Sequence, residues 1–410
     1  MNQLLERFCR YVRVETTAVE GVDDYPSSKS QLDLSRMLAD ELKELGLQDV
    51  SMSEFGIVMG TIPATAPDAP TIAWFAHVDT SPEFTGKDVK PTIHENYDGQ
   101  DIVLPGDPTK IIRTSESKGL ADLKGKTIIT TDGTTLLGAD DKAGVAIIMT
   151  AAADLMNDTS KPRGPVRVVF TCDEEIGKGT DKVNLAEVDA IAGYTLDGEA
   201  SGQIENETFS ADLATVKITG RNIHPAIAKD RMTNAIRVAA DFVSRLPADR
   251  LAPEVTEGRD GFLHPYVIEG GVPELSLRIL LRSFDSDELV SHADLLRSIA
   301  SEVEARHQHA KIEVDVLRQY RNMKEYLEKE PRAVELAARA MRNLGVEPTF
   351  HSIRGGTDGS RFSELGLPTP NLSAGMHNFH SPLEYACLEE MQSGVDTLIE
   401  LARLWSEERK

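Results

Sequence analysis

The chain has 410 residues, 40% apolar and 27% charged, enough material for roughly two or three buried cores. Its 44 basic and 67 acidic side chains leave a formal charge of −23, a surface that repels DNA, RNA and anionic lipid. That balance excludes a general nucleic-acid or membrane-surface binder. Only Cys9, Cys172 and Cys387 occur, an odd number without paired spacing, so no disulfide framework is indicated. The N-terminal segment carries Glu6, Arg10, Arg13, Glu15 and Glu20 and lacks the apolar run of a signal peptide. The most apolar stretch, 143–156, is broken by Thr150 and Asp154 and falls short of a membrane span. The expectation is a soluble, cytoplasmic, globular protein.

Residues 2–13 place Leu4, Leu5, Phe8, Tyr11 and Val12 on one helical face. A second helix is predicted from Ser30, with Leu34, Leu38 and Leu42 inward and Gly46 as its stop. The apolar run 71–78 reads as a buried strand, and 127–130 as another, followed by the turn signal Asp132-Gly133. Further strands are predicted at 166–171, 191–196 and 369–372, with helices at 143–156 and 389–405. Strands alternating with long amphipathic helices predict an α/β fold: a central mixed sheet flanked by helices. The middle has another rhythm, with alternating strands at 208–219 and 274–283 and amphipathic helices at 231–246 and 286–308. This predicts a smaller α+β domain at 209–320 interrupting a larger one built from 1–208 and 321–410.

Polar residues collect just beyond the predicted strand ends. They are His77-Val78-Asp79, Gly138-Ala139-Asp140-Asp141, Asp173-Glu174-Glu175, Asp197-Gly198-Glu199 and His377-Asn378-Phe379-His380. In open α/β sheets, sites assemble at the carboxyl ends of strands. Taken singly, each segment has an ordinary reading: a hydrogen-bonded histidine, acids at a helix N-terminus, a solvated loop, a turn. Taken together, so many carboxylates on one rim would repel unless protonated or neutralised by cations. Histidine plus carboxylate ligands suit zinc, with manganese or cobalt as substitutes. On a strand, residues i and i+2 share a face, so Asp79 can hold the His77 tautomer. Phosphate-binding, dinucleotide-binding and nucleophile-elbow motifs are absent from the sequence.

These segments, with Thr131-Asp132-Gly133, Leu136 to Gly144, His224-Pro225, Arg354-Gly355-Gly356-Thr357-Asp358-Gly359 and His380, resemble the dinuclear-zinc exopeptidases over essentially the whole chain. That family includes carboxypeptidase G and aminoacylase, and the likeness is nearest to its tripeptide aminopeptidases. The resemblance implies two zinc ions bridged by Asp140, one also held by His77 and Asp197, the other by Glu175 and His380. It makes Asp79 the residue that orients His77 and Glu174 the general base. A hydroxide shared by the two metals would attack the N-terminal peptide bond of a tripeptide. The interrupting domain resembles the family's lid, through which a homodimer can form. His224 resembles an oxyanion donor; Arg282 and Arg354 resemble clamps for the substrate carboxylate, with Gly355 and Gly356 leaving room for the peptide.

Three positions depart from the usual pattern: Glu199 where a glycine run is common, Ala226 where glycine follows His-Pro, and His377 as an additional ligand candidate beside His380. They bear on side-chain and length preference. Another amide hydrolase of the same family (a dipeptidase, carboxypeptidase or deacylase) stays open, as does an inactive metal-binding interaction protein.

Overall fold

The structure, a computed structural model, describes residues 2–409. Its backbone divides into two units. The first runs to Asn206 and adds Glu325–His351 and the chain from Thr357 onward; the second is Glu207–Lys324 with Ser352–Gly356.

The first unit is built on an eight-stranded sheet. Its order is Gln48–Met52, Val58–Ile62, Val166–Thr171, Ile72–His77, Ala192–Gly198, Asn371–Ser373, Gln203–Thr208, Thr349–Ile353. The middle four strands run parallel to one another, and those flanking them are antiparallel. Every residue of Ile72–His77 is buried, which requires helices on both faces and explains its unbroken apolar run. Ala139–Asn157 is the central helix, buried nearly all round. It packs with Gln3–Tyr11, Leu388–Trp405 and the sheet around Trp74, Ile147, Phe170 and Trp405. The buried polar groups there are matched: Trp405 Nε1 donates to the Tyr194 hydroxyl at 2.8 Å, which donates to the Ala333 carbonyl at 2.9 Å. On the opposite face Phe75 stacks on Phe362, centroids 4.3 Å apart.

The strand expected at 127–130 forms as Ile128–Thr130 but lies outside the central sheet. It pairs with Thr92–His94 and Tyr385–Cys387 in a separate four-stranded sheet. Ile128 is buried in a local cluster with Tyr97, Leu104 and Leu120, while Ile129 points into the main core.

The second unit folds strand–helix–strand–strand–helix–strand. Its antiparallel sheet is ordered Phe262–Gly270, Glu274–Ser283, Ser210–Thr219, Lys311–Tyr320, packed with helices Ala235–Ser244 and Ser286–Arg306. Two of its strands were not expected from sequence. Phe262–Gly270 carries Pro265 beside a register shift, and Lys311–Tyr320 alternates charged with half-buried residues; both are edge strands. Ser352–Gly356 belongs with this unit: the Phe209 N–H donates to the Ile353 carbonyl at 3.1 Å, and Arg354 donates to the carbonyls of Gly258 and Asp260, both at 2.9 Å. Among the described residues, no helix is long and apolar enough to cross a membrane.

Candidate active site

The four parallel strands all release their acids and histidines at their carboxyl ends. Ile72–His77 ends on His77, and Val166–Thr171 leads into a short turn, Glu174–Ile176. Ala192–Gly198 carries Asp197, and Asn371–Ser373 precedes the loop of His380. The start of the central helix delivers Asp140.

Two groups of potential metal ligands result, His77 with Asp140 and Asp197, and Asp140 with Glu175 and His380; in each, the ligand atoms lie within 4.8 Å of one another. His77 Nε2 is 3.0 Å from Asp140 Oδ1 and 3.6 Å from Asp197 Oδ1. His380 Nε2 is 3.2 Å from Asp140 Oδ2 and 2.8 Å from Glu175 Oε2. Asp140 thus presents one oxygen to each group. Glu175 Oε1 and Asp197 Oδ1 are buried without a hydrogen-bond partner. His77 Nδ1 lies 3.1 Å from the Asp79 carbonyl, a bond that directs the Nε2 lone pair at the carboxylates. Buried acceptors without donors, with two histidines beside them, are a donor set that fits a pair of divalent cations.

The electrostatics agree. Burial pushes the carboxyl groups of Glu174 and Asp197 well above their ordinary values; for Asp197 the Asp140 charge adds to this. Burial and Asp140 lift Glu175 to about 7. Burial opposes ionisation of Asp140 too, but hydrogen bonds with His380 and His77 outweigh it and hold that carboxyl below its ordinary value. Hydrogen bonds to Asp140 and Glu175 push His380 up to about 11. Four carboxyl groups face two imidazoles, more than the histidines can neutralise if all four ionise.

The family resemblance singled out Asp140 rather than its neighbour Asp141, and the structure gives the two side chains different partners. Asp141 turns inward, its Oδ1 accepting from the Gly144 N–H and its Oδ2 from the His77 N–H, both at 3.1 Å. It caps the helix proper and ties it to the sheet, which frees Asp140 to face both histidines. Glu174 and Glu175 are also held apart: the Asp79 carboxylate accepts from the N–H of each, Oδ1 from Glu174 and Oδ2 from Glu175, both at 3.1 Å. Asp79 therefore braces the third strand's turn as well as His77, a role the His-x-Asp spacing did not reveal.

His377 belongs to neither group. Offered by the sequence as an additional ligand candidate, it is instead buried, with Nε2 2.7 Å from Glu390 Oε2 and its ring stacked on Tyr385 at 4.7 Å. Asp358, quoted in the sequence only as part of a glycine-rich motif, is buried and accepts from Thr171 Oγ1 at 3.1 Å. A Cβ at Gly179 would stand 2.3 Å from the Asp358 carboxylate, which accounts for glycine there. Cys172 is a buried packing residue whose thiol is pushed up by burial and by the nearby Asp79 charge.

The remaining predicted residues lie in the second unit. His224 is exposed and caps a short turn, its Nδ1 accepting from the Ala226 N–H at 3.2 Å. Arg282 donates to the Leu281 carbonyl at 3.0 Å and sits over the Tyr320 ring. Arg354 is held by the 256–260 carbonyls and lies over Phe209 and Phe262. Gly356 packs so closely on the Tyr320 ring that a Cβ would meet it at 2.5 Å, while Gly355 is open apart from Ile353 at 3.9 Å.

Comparison with known proteins places this geometry in context. The family model "Peptidase family M20/M25/M40" matches residues 133–404. The Peptidase T of Listeria monocytogenes serotype 4a is 44% identical over 407 residues, 99% of both chains. Two solved structures share the fold. The aminopeptidase PepT of Bacillus cereus superposes with a TM-score of 0.76 at 23% identity, covering 99% of this chain and 98% of that one. A tripeptidase of Staphylococcus aureus superposes with a TM-score of 0.77 at 24% identity and the same coverage.

Proposed function

The chain belongs to peptidase family M20/M25/M40, and we propose that it is a metal-dependent aminopeptidase that removes the N-terminal residue from tripeptides. The observation that carries the reading is the pair of ligand groups sharing Asp140, with Glu174 braced beside them by Asp79. His77, Asp140 and Asp197 would hold one divalent cation and Asp140, Glu175 and His380 the other, each with three protein ligands, as a catalytic site requires. Zinc is the identity that best suits this donor set, with manganese or cobalt as substitutes. When bound, such a pair polarises the scissile carbonyl and lowers the pKa of water.

The chain's own residues do the rest. Glu174 accepts the proton of the attacking water on its carboxylate and passes it to the leaving amine. Burial raises its carboxyl above the ordinary value, which makes its carboxylate a stronger base. Asp79 keeps Glu174 and Glu175 pointing in different directions. His224 is assigned to the developing oxyanion, and Arg282, Arg354, Gly355 and Gly356 to the peptide and its carboxylate. The support for these five is the match of residue type to task. The second unit is assigned the lid and dimerisation role, supported by edge strands that expose Tyr266, Ile268 and Leu317. The three cysteines are buried free thiols, which supports placement in the reducing cytoplasm.

Hydrolysis of free and N-acetylated di-, tri- and tetrapeptides, read by mass spectrometry with and without chelator, tests the reading. Release of the first residue from free tripeptides, abolished by chelator and restored by zinc, is expected. Preference for acetylated substrates or for C-terminal release would overturn it.

A further inference from the structure

Beyond the ligands and the base, one buried carboxylate has no place in the chemistry so far. Glu384 is 1% exposed. Its Oε2 accepts from the N–H groups of Leu137 and Gly138, both at 2.7 Å, and its Oε1 from the Asp140 N–H at 3.0 Å. We infer that Glu384 is a positioning residue that sets Asp140 between the two metal groups by fixing the Leu137–Asp140 backbone. The inference rests on the metal reading above.

The backbone at this point cannot support itself. Gly138 has φ 78°, and Asp140 and Asp141 have non-helical torsions at −79°, 106° and −117°, 34°. The regular helix begins only after Asp141, so the preceding N–H groups lack the acceptors four residues back that a helix provides. They are buried, where an unmatched donor is costly. Glu384 supplies three of the missing acceptors from one side chain. Only a carboxylate offers acceptors on both oxygens; the amide of glutamine would turn an N–H toward a backbone N–H.

The clamp also couples two ligands. Glu384 stands four residues after His380, in a loop tied internally: Ser381 Oγ donates to the Asn378 carbonyl at 2.8 Å, and the Glu384 N–H donates to the Ser381 carbonyl at 3.2 Å. One end of this loop presents His380 to Asp140 Oδ2, and the other grips the Asp140 main chain. The separation of His380 from Asp140 is thereby set by two bridges rather than one.

Glu384→Gln should weaken zinc binding by about 10- to 100-fold, the usual effect of removing a group that orients a ligand. The assay is zinc titration of the metal-stripped full chain against a chelating dye, with the visible spectrum of the cobalt form as a second readout. Glu389→Gln is the structural control. Glu389 accepts from the Thr127 N–H at 2.8 Å but touches no ligand segment, so its loss should lower thermal stability and leave zinc affinity and the cobalt spectrum unchanged. If Glu384→Gln does not fold, Glu384→Asp, which keeps both oxygens on a shorter arm, decides by the same titration. Parent-like affinity and spectrum in the folded variant overturn the inference. Failure of the parent protein itself to bind zinc, manganese or cobalt would instead overturn the metal reading.

Discussion

Replacing Asp79 with asparagine should slow tripeptide hydrolysis by about 10- to 150-fold while both metal groups keep their ions. The Asp79 carboxylate is fully buried and serves three partners: the Glu174 N–H and the Glu175 N–H at 3.1 Å each, and His77 Nδ1 at 3.3 Å. Asparagine keeps one oxygen and places an NH2 where the other stood. One of the two successive N–H groups then loses its acceptor and faces a donor. A hydrogen bond to an ionised group contributes about 1.5–3 kcal/mol. At about 1.36 kcal/mol per tenfold in rate, that is about 1.1–2.2 powers of ten if the loss falls wholly on the transition state. Metal at the His77 group should persist, because His77 Nδ1 also lies 3.1 Å from the Asp79 main-chain carbonyl, which the substitution retains. The assay is kcat and KM for a free tripeptide, with metal content measured on the same samples. Parent-like kcat with full metal would refute the bracing argument. Metal loss in proportion to activity would show that Asp79 acts through His77 instead.

Glu174→Gln should abolish most turnover with metal content intact, whereas Glu175→Gln should weaken one metal position and recover in part at high zinc; elemental analysis beside turnover distinguishes them, and the opposite pattern would exchange their roles. His224→Ala should lower kcat by about 10²-fold with unchanged metal content, and unchanged kinetics at saturating tripeptide would return it to its turn-capping role alone. In the second unit, the Arg259 hydrogen bond, 2.9 Å from Nη2 to Glu207 Oε1, holds the Glu207 carboxyl down to about 2, against about 4.3 in an unfolded chain. A depressed folded value stabilises above the unfolded one and is lost as pH falls through the folded one. Glu207→Gln should therefore lower the urea midpoint at pH 7, and the gap to the parent should close between about pH 5 and pH 2. A gap independent of pH would show that the charge plays no part.

Much of this molecule was legible along the chain because its signals are local. The helices at Gln3–Tyr11, Gln31–Glu44 and Leu388–Trp405 follow from apolar spacing, and Val166–Thr171 and Glu274–Ser283 formed at the bounds expected. The acids and histidines that gather into the two ligand groups were visible as well, since strand ends deliver polar residues to one rim of a parallel sheet. Edge strands were harder. Phe262–Gly270 buries little and is interrupted by Pro265, whereas Lys311–Tyr320 does alternate Ile312, Val314 and Val316 against the core, a short period-two signal that sequence reasoning missed.

The amino-acid order determined which residue types are present, where the strands end, and that the excess of carboxylates needs positive charge. The tertiary structure supplied what the sequence does not hold, the hydrogen bonds that set the members of each look-alike pair apart. Asp140 faces the histidines while Asp141 caps the helix; His380 stands beside Asp140 and Glu175 while His377 is held by Glu390. Glu174 and Glu175 part because Asp79, 95 residues earlier in the case of Glu174, takes both their N–H groups. Glu384 reaches Asp140 across 244 residues. Side chains of equal chemistry are told apart by hydrogen bonds to distant backbone, and bonds between segments that meet only on folding leave no periodic pattern in the sequence.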